Sequence, residues 1–143
     1  MKRIYVDEQY CVNCGLCQVH CLTEHSESKD IIKAYKEESP QKVSAIYKEE
    51  EKPKSFAIQC RHCDEAPCLN ACITGAMHRD PDTGAVLRDE DKCVGCWSCL
   101  MVCPLGAVKM EEERETAMKC DLCPDKETPV CVENCPNEVL EFR

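Results

Sequence analysis

The sequence predicts an α+β fold of short helices and small β-hairpins, organised around bound metal rather than around a large apolar core. Three observations carry that reading. The chain of 143 residues holds 16 cysteines but only 5% aromatic residues, with 31% of its residues charged. So little apolar bulk in a chain of this size calls for covalent or metal cross-links. The cysteines fall into four groups of four with none left over, and a unit of loop, short helix and strand recurs around each group.

Arg3 to Val6 (RIYV) is a short strand candidate that leads into the first group, CVNCGLCQVHC, with Cys11, Cys14, Cys17 and Cys21. A gap of 38 residues follows, against 20 and 16 in the other two gaps. Within it, Ser28 to Glu38 reads as a helix with Ile31, Ala34 and Tyr35 on one face. After Pro40, Val43 to Tyr47 and Ser55 to Ile58 read as two strands joined across a charged turn from Glu49 to Lys54. The second group, CRHCDEAPCLNAC, holds Cys60, Cys63, Cys68 and Cys72, and Pro67 stands where a first helical turn begins. ITGAMHRD and AVLRD form a hairpin across Asp82-Thr83-Gly84. The third group, CVGCWSCLMVCP, holds Cys93, Cys96, Cys99 and Cys103; the fourth, CDLCPDKETPVCVENCP, holds Cys120, Cys123, Cys131 and Cys135. PLGAVKM and PNEVLEF, after Cys103 and Cys135, are strand candidates, each behind a helix led by the fourth cysteine of its group.

The N-terminus has no apolar run of the secretory kind, and no stretch approaches the roughly 20 apolar residues of a membrane helix. A cytoplasmic location is expected, where dense cysteines bind metal more often than they form disulfides. Groups one and three have the C-x2-C-x2-C-x3-C spacing by which bacterial two-cluster ferredoxins hold [4Fe-4S] clusters, three thiolates reaching one cluster and the fourth its neighbour. Structural zinc, the rival, uses pairs of C-x2-C knuckles and gives the third cysteine no purpose. Thiolate softness suits either metal, so the spacing decides. A zinc-stapled interaction module is the alternative from a different class, and colour separates the two. The formal net charge is −9. Thiolate clusters make it more negative, which disfavours nucleic acid and favours basic partner surfaces.

Taken together, the four-group order, the widened second group and the still wider fourth resemble the four-cluster ferredoxin-like electron-transfer subunits, the family that includes the dimethyl-sulfoxide reductase iron–sulfur subunit. The likeness spans nearly the whole chain. Glu24-His25-Ser26-Glu27-Ser28-Lys29-Asp30 followed by Ile-Ile-Lys-Ala-Tyr is similar, more narrowly, to the iron–sulfur subunit of carbon monoxide dehydrogenase. The resemblance implies two ferredoxin-like halves with a pseudo-two-fold repeat: residues 1–21 with 104–143, and residues 60–103, with 22–59 as an inserted helix and hairpin. It also implies the ligand sets. Cys11, Cys14 and Cys17 would join Cys135 on one cluster, and Cys120, Cys123 and Cys131 would join Cys21 on a second. Cys60, Cys63 and Cys68 would join Cys103 on a third, and Cys93, Cys96 and Cys99 would join Cys72 on the fourth. The sequence departs from the family pattern in that Leu22 and Ile73, not proline, follow Cys21 and Cys72.

The function so implied is a non-catalytic electron-transfer subunit with four [4Fe-4S] clusters, in an anaerobic setting. Its partners would be carbon monoxide dehydrogenase and a redox acceptor such as a flavin NAD(P) oxidoreductase, a hydrogenase or a ferredoxin. A tungsten or molybdenum aldehyde or formate oxidoreductase, or a hydrogenase, is the alternative catalytic partner. Larger family members carry further domains or a membrane helix; without them, membrane insertion is not expected. The long insert is expected to dock the catalytic partner through Ile31 and Tyr35, flanked by Lys29, Lys33 and Lys36, the plain alternative being a roof over the clusters. His20, His25, His62 and His78 are expected to hydrogen-bond near clusters or at the surface rather than to ligate. Trp97 is expected to shield a cluster edge, and Glu49-Glu50-Glu51 and Glu111-Glu112-Glu113 are expected to be solvated turn charges.

Overall fold

Strands β1 (Ile4–Val6) and β8 (Leu140–Phe142) pair antiparallel with Tyr5 opposite Glu141, so the first and last strands close on each other. This is seen in a computed structural model that describes residues 1–38, 43–51, 54–111 and 115–143. Backbone bonds from Arg3 N to Arg143 O (2.7 Å) and from Asp7 N to Val139 O (2.8 Å) extend the clasp beyond its three paired residues. Among the described residues three further antiparallel pairs follow: β2 (Ile46–Glu51) with β3 (Lys54–Gln59), β4 (Met77–Arg79) with β5 (Val86–Arg88), and β6 (Lys109–Glu111) with β7 (Thr116–Met118). Each two-stranded ribbon is too small to stand alone, so the ribbons depend on what they pack against.

Among the described residues, five short helices complete the α+β architecture: α1 (Leu16–Glu24), α2 (Ile31–Lys33), α3 (Pro67–Asn70), α4 (Ser98–Val102) and α5 (Val130–Glu133). Asp30 caps α2 by accepting from Ile32 N (3.0 Å) and Lys33 N (2.9 Å), and the chain continues as a π-turn, Ala34–Glu38. The fourth cysteine of each group does not lead a helix, contrary to the sequence expectation. In α1, α3, α4 and α5 the third cysteine (Cys17, Cys68, Cys99, Cys131) is the second helical residue. The fourth falls one turn later, within α1 or just past the end of the shorter helices. The C-x3-C spacing is an i, i+4 step, which sets the two thiols on one helix face about 6 Å apart along the axis.

The insert also differs in detail from the expectation. Its first strand runs Ile46–Glu51, so Glu49, Glu50 and Glu51 are exposed strand residues rather than a turn. Glu111 is buried at the end of β6, while Pro40 and the rest of the expected turn, Lys52 and Pro53, lie outside the described residues, as do Glu112 and Glu113.

Two apolar cores form, and cysteines are part of both. The first joins Ile4, Ile46, Val139 and Leu140 to Cys21, Cys60, Cys120 and Cys131, with Cys11, Cys17 and Cys135 at its edge. The second joins Ala66, Met77, Val86, Val108 and Ala117 to Cys68 and Cys99, with Cys72, Cys93 and Cys103 at its edge. In the first core α1 packs on α5; in the second α3 packs on α4. The β6–β7 ribbon contributes to both, Met118 facing one core and Ala117 the other. No helix among the described residues is long and apolar enough to cross a membrane.

Candidate metal centres

All four cysteine loops turn in the same way. The residue two places after the first cysteine is left-handed in each: Asn13 (φ 55°), His62 (46°), Gly95 (66°) and Leu122 (67°). In groups one and three a second left-handed residue follows the second cysteine, Gly15 (78°) and Trp97 (61°). Such residues reverse the backbone tightly enough to gather successive thiols, and to aim N–H groups at the space between them. One of those donors lands on sulfur, His62 N on Cys60 Sγ, and two backbone donors beyond the fourth cysteines do the same, Met77 N on Cys72 Sγ and Ala107 N on Cys103 Sγ, each at 3.4 Å.

Every one of the sixteen thiols is free of disulfide bonding. Burial raises Cys17 to about 11, and the charges of Cys14, Cys11 and Cys135 add to it. Burial likewise raises Cys99 to about 11, with Cys93 and Cys96 contributing. Cys120 is pushed up by burial and by Cys21 and Cys131; Cys131 by burial and by Cys21, Cys123 and Cys17. Cys68 is raised by burial and by Cys60 and Cys103, and Cys72 is a charge neighbour of Cys96. Cys11, Cys14, Cys17 and Cys135 line one hollow with Ala57, Val139 and Leu140; Cys72, Cys93, Cys96 and Cys99 line another with Met77, Trp97 and Ala117. Each set of neighbouring thiols thus draws on two different groups, not on one alone. Converging thiols, several of which burial keeps from ionising on their own, are a donor set that a multivalent soft cation completes, since metal binding displaces their protons. The residues present fit iron–sulfur clusters.

Exposure differs among the sets. Cys14 and Cys96 are exposed, whereas Cys21, Cys120, Cys123 and Cys131 are buried. The insert braces the first loop: Ser55 Oγ donates to Cys11 O (2.8 Å), Lys48 Nζ to Asn13 O (3.3 Å) and Asn13 Nδ2 to Glu50 (3.0 Å). Its helical part leaves Ile31 (46%), Ile32 (61%) and Tyr35 (45%) exposed and buries Ala34. Tyr35 shares one hollow with Cys14, Val19 and Lys48. Lys29 pairs with Glu24 at 3.1 Å, and Lys33 and Lys36 are exposed.

Two features go further than the sequence reading, the first being the partners of His25, which hydrogen-bonds beside a cysteine as expected. His25 stands one helical turn beyond Cys21, its Nδ1 at 2.8 Å from Cys21 O and 3.9 Å from Cys21 Sγ. Its Nε2 meets Asp121 at 3.1 Å, and the Asp121 carboxylate accepts from Cys123 N at 2.9 Å. Asp121 and then Cys21 raise His25 to about 11. Although burial opposes it, the His25 contact holds Cys21 below the usual thiol range. The i, i+4 spacing of Cys21 and His25 was the available signal. The second is a buried pair of basic side chains, His62 and Lys119, where the two cores meet. His62 stands inside the second cysteine group and is expected near a cluster, but nothing in the sequence pattern marks Lys119 as buried. His20 and His78 show no approach to a thiol; His78 Nδ1 lies 3.2 Å from Ala76 O.

The profile of the 4Fe-4S dicluster domain family matches residues 52–143. The chain is 36% identical over 159 residues to an iron–sulfur protein of Rhodospirillum rubrum, covering 97% of this chain and 80% of that protein. It is 32% identical over 146 residues to one subunit of the anaerobic dimethyl sulfoxide reductase of Escherichia coli, covering 96% of this chain and 71% of that subunit. It is 31% identical over 153 residues to the electron transport protein HydN of the same organism, covering 96% and 85%. Among solved structures, one polypeptide of the active-site complex BamBC of benzoyl coenzyme A reductase superposes with a TM-score of 0.56 at 20% identity, over all of this chain and 76% of that one. That last likeness concerns the fold alone.

Proposed function

The chain belongs to the 4Fe-4S dicluster domain family, and from that premise we propose that it holds four [4Fe-4S] clusters and carries single electrons between a catalytic oxidoreductase and a downstream acceptor. It is an iron–sulfur electron-transport subunit of the oxidoreductase type. The observation that carries the four-cluster reading is the mutual approach of fifteen of the sixteen free thiols, all but Cys63, as neighbours drawn from pairs of groups, one with four and two with three. The proposed ligand sets are Cys11, Cys14, Cys17 and Cys135; Cys21, Cys120, Cys123 and Cys131; Cys60, Cys63, Cys68 and Cys103; and Cys72, Cys93, Cys96 and Cys99. The division into two halves with an insert over 22–59 is supported by the α1–α5 and α3–α4 pairs and by the separate cores.

Bound clusters supply one-electron redox chemistry; the protein's part is to seat them, exclude water and meet its partners. The exposed Cys14 and Cys96 make the first and last of these sets the natural points of electron entry and exit. Partner contact at the Cys14 end falls to the insert, whose Tyr35 shares a hollow with that thiol and whose Ile31 and Ile32 are exposed on the same helical segment, among Lys29, Lys33 and Lys36. A cationic rim on an otherwise acidic chain favours an acidic partner face there, mainly through association rate. The catalytic partner we propose is carbon monoxide dehydrogenase, in the cytoplasm, on the likeness of the Glu24–Asp30 stretch that leads into this helical segment. Reversing the charge at Lys29, Lys33 and Lys36 should weaken the complex at least tenfold while iron content and reduced-cluster EPR signals stay intact. Copurification and wild-type electron transfer by the triple variant would remove the docking role.

A further inference from the structure

Lys119 is 4% exposed, and its ammonium reaches two carbonyls from different parts of the chain. Nζ donates to Val86 O on β5 and, at 2.8 Å, to Cys120 O at the start of the fourth group. Val86 belongs to the second core and Cys120 to the first, so the side chain threads the seam between them. No ion pair to Lys119 forms among the described residues. Asp121, two positions on, is engaged by His25, and Glu90 by Arg88.

A tether between two carbonyls does not require a charge, and burying an ammonium whose hydrogen-bond partners, among the described residues, are carbonyls is costly. A countercharge is therefore expected within reach, and the cysteines supply it. Lys119 Nζ holds the carbonyl of Cys120, a residue of one inner set. The strand residue it also holds, Val86, donates its N–H to His62 Nδ1 at 3.1 Å, in the loop between Cys60 and Cys63 of the other inner set. Fixed positive charge thus stands beside the loops of both inner sets.

We propose that Lys119 is a buried cation shared by the two inner clusters, those of Cys60, Cys63, Cys68 and Cys103 and of Cys21, Cys120, Cys123 and Cys131, and that it holds both at a higher reduction potential than the same thiolate cages would otherwise have. The inference rests on the ligand sets proposed above. Each reduction adds one electron, supplied by the redox partner, and makes or breaks no bond at Lys119. The ammonium favours the reduced cage because that cage carries one more negative charge. Lys119 is a positioning residue for charge, not a ligand.

The test uses Lys119→Gln, which retains an N–H donor without charge, Lys119→Met, which retains neither, and Lys119→Arg, which retains the charge. Iron and sulfide are counted first, then the four reduction steps are followed by EPR-monitored potentiometric titration. The neutral variants should move two of the four steps to lower potential by tenfold or more in the reduction equilibrium, about 59 mV per tenfold for one electron. The other two steps should stay within threefold, and Lys119→Arg should leave all four there. Four unmoved steps, four equally moved steps, or an arginine variant that moves as far as the glutamine one would overturn the proposal. If the neutral variants load no iron while Lys119→Arg loads fully, charge is needed to assemble the inner cages and the proposal holds; if the arginine variant also fails to load, the lysine's shape is what matters and the proposal falls. Wild-type protein with fewer than four clusters would instead defeat the four-cluster reading on which it rests.

Discussion

Gly95→Ala should loosen the third cysteine loop, and the structure separates two reasons. Gly95 has φ 66°, and a Cβ built there would lie 2.2 Å from the Glu115 carbonyl oxygen. The left-handed backbone alone costs an alanine about 1–2 kcal/mol. Moving a backbone carbonyl out of the way adds about 1–3 kcal/mol, the usual scale of overpacking. Gly75 supplies the control: its φ is 70°, and nothing lies within 4 Å of its would-be Cβ. Gly75→Ala therefore carries the first cost without the second. Asn13, His62 and Leu122 occupy the equivalent loop position with side chains, so the conformation alone does not demand glycine; the Glu115 carbonyl does. If the cluster is lost through local opening of its loop, the 1–3 kcal/mol difference makes iron release roughly 5- to 160-fold faster in Gly95→Ala than in Gly75→Ala. The assay is anaerobic release of iron to a ferrous chelator at a fixed, low denaturant concentration. Equal release rates in the two variants would show that the carbonyl contact does not constrain this loop.

Cys135→Ala should disturb the cluster signal associated with Cys11, Cys14 and Cys17 and largely spare that of Cys120, Cys123 and Cys131; EPR of the reduced variant reads the outcome, and the opposite pattern would refute the exchange of fourth cysteines between groups. Removing iron by chelation under reducing conditions should unfold most of the chain, because both cores are built on cysteines and ligand binding is folding free energy here. Far-UV circular dichroism that stays native after complete iron removal would contradict that dependence.

Much of the architecture was legible because its signals are local. RIYV, the Asp82-Thr83-Gly84 hairpin, and the strands after Cys103 and Cys135 all appear as β1, β4–β5, β6 and β8, each announced by apolar residues beside a turn. Pro67 opens α3 as its fixed φ suggests. What escaped depends on contacts distant in sequence. Strand β7 (Thr116–Met118) is buried at all three positions, so it shows no alternation and was not read. The run Glu49–Glu51 reads as a turn by charge, yet an isolated two-stranded ribbon leaves strand residues in water, and there charge is no obstacle. Helix placement erred because cysteine spacing was read as loop geometry, whereas the C-x3-C step is one turn of helix. At the metal centres, spacing singled out the sixteen cysteines as candidate ligands, and the structure leaves all sixteen free of disulfides. The His25–Asp121 link spans 96 residues and the Lys119–Val86 bond spans 33, separations that no local pattern encodes.

The central claim is that sixteen thiols serve four cubanes, and quantitative iron, acid-labile sulfide and zinc analysis of anaerobically purified protein tests it most directly. About sixteen irons and sixteen sulfides per chain, with zinc absent, is the expected result for four [4Fe-4S] clusters held by Cys ligands. Stoichiometric zinc without sulfide would contradict it.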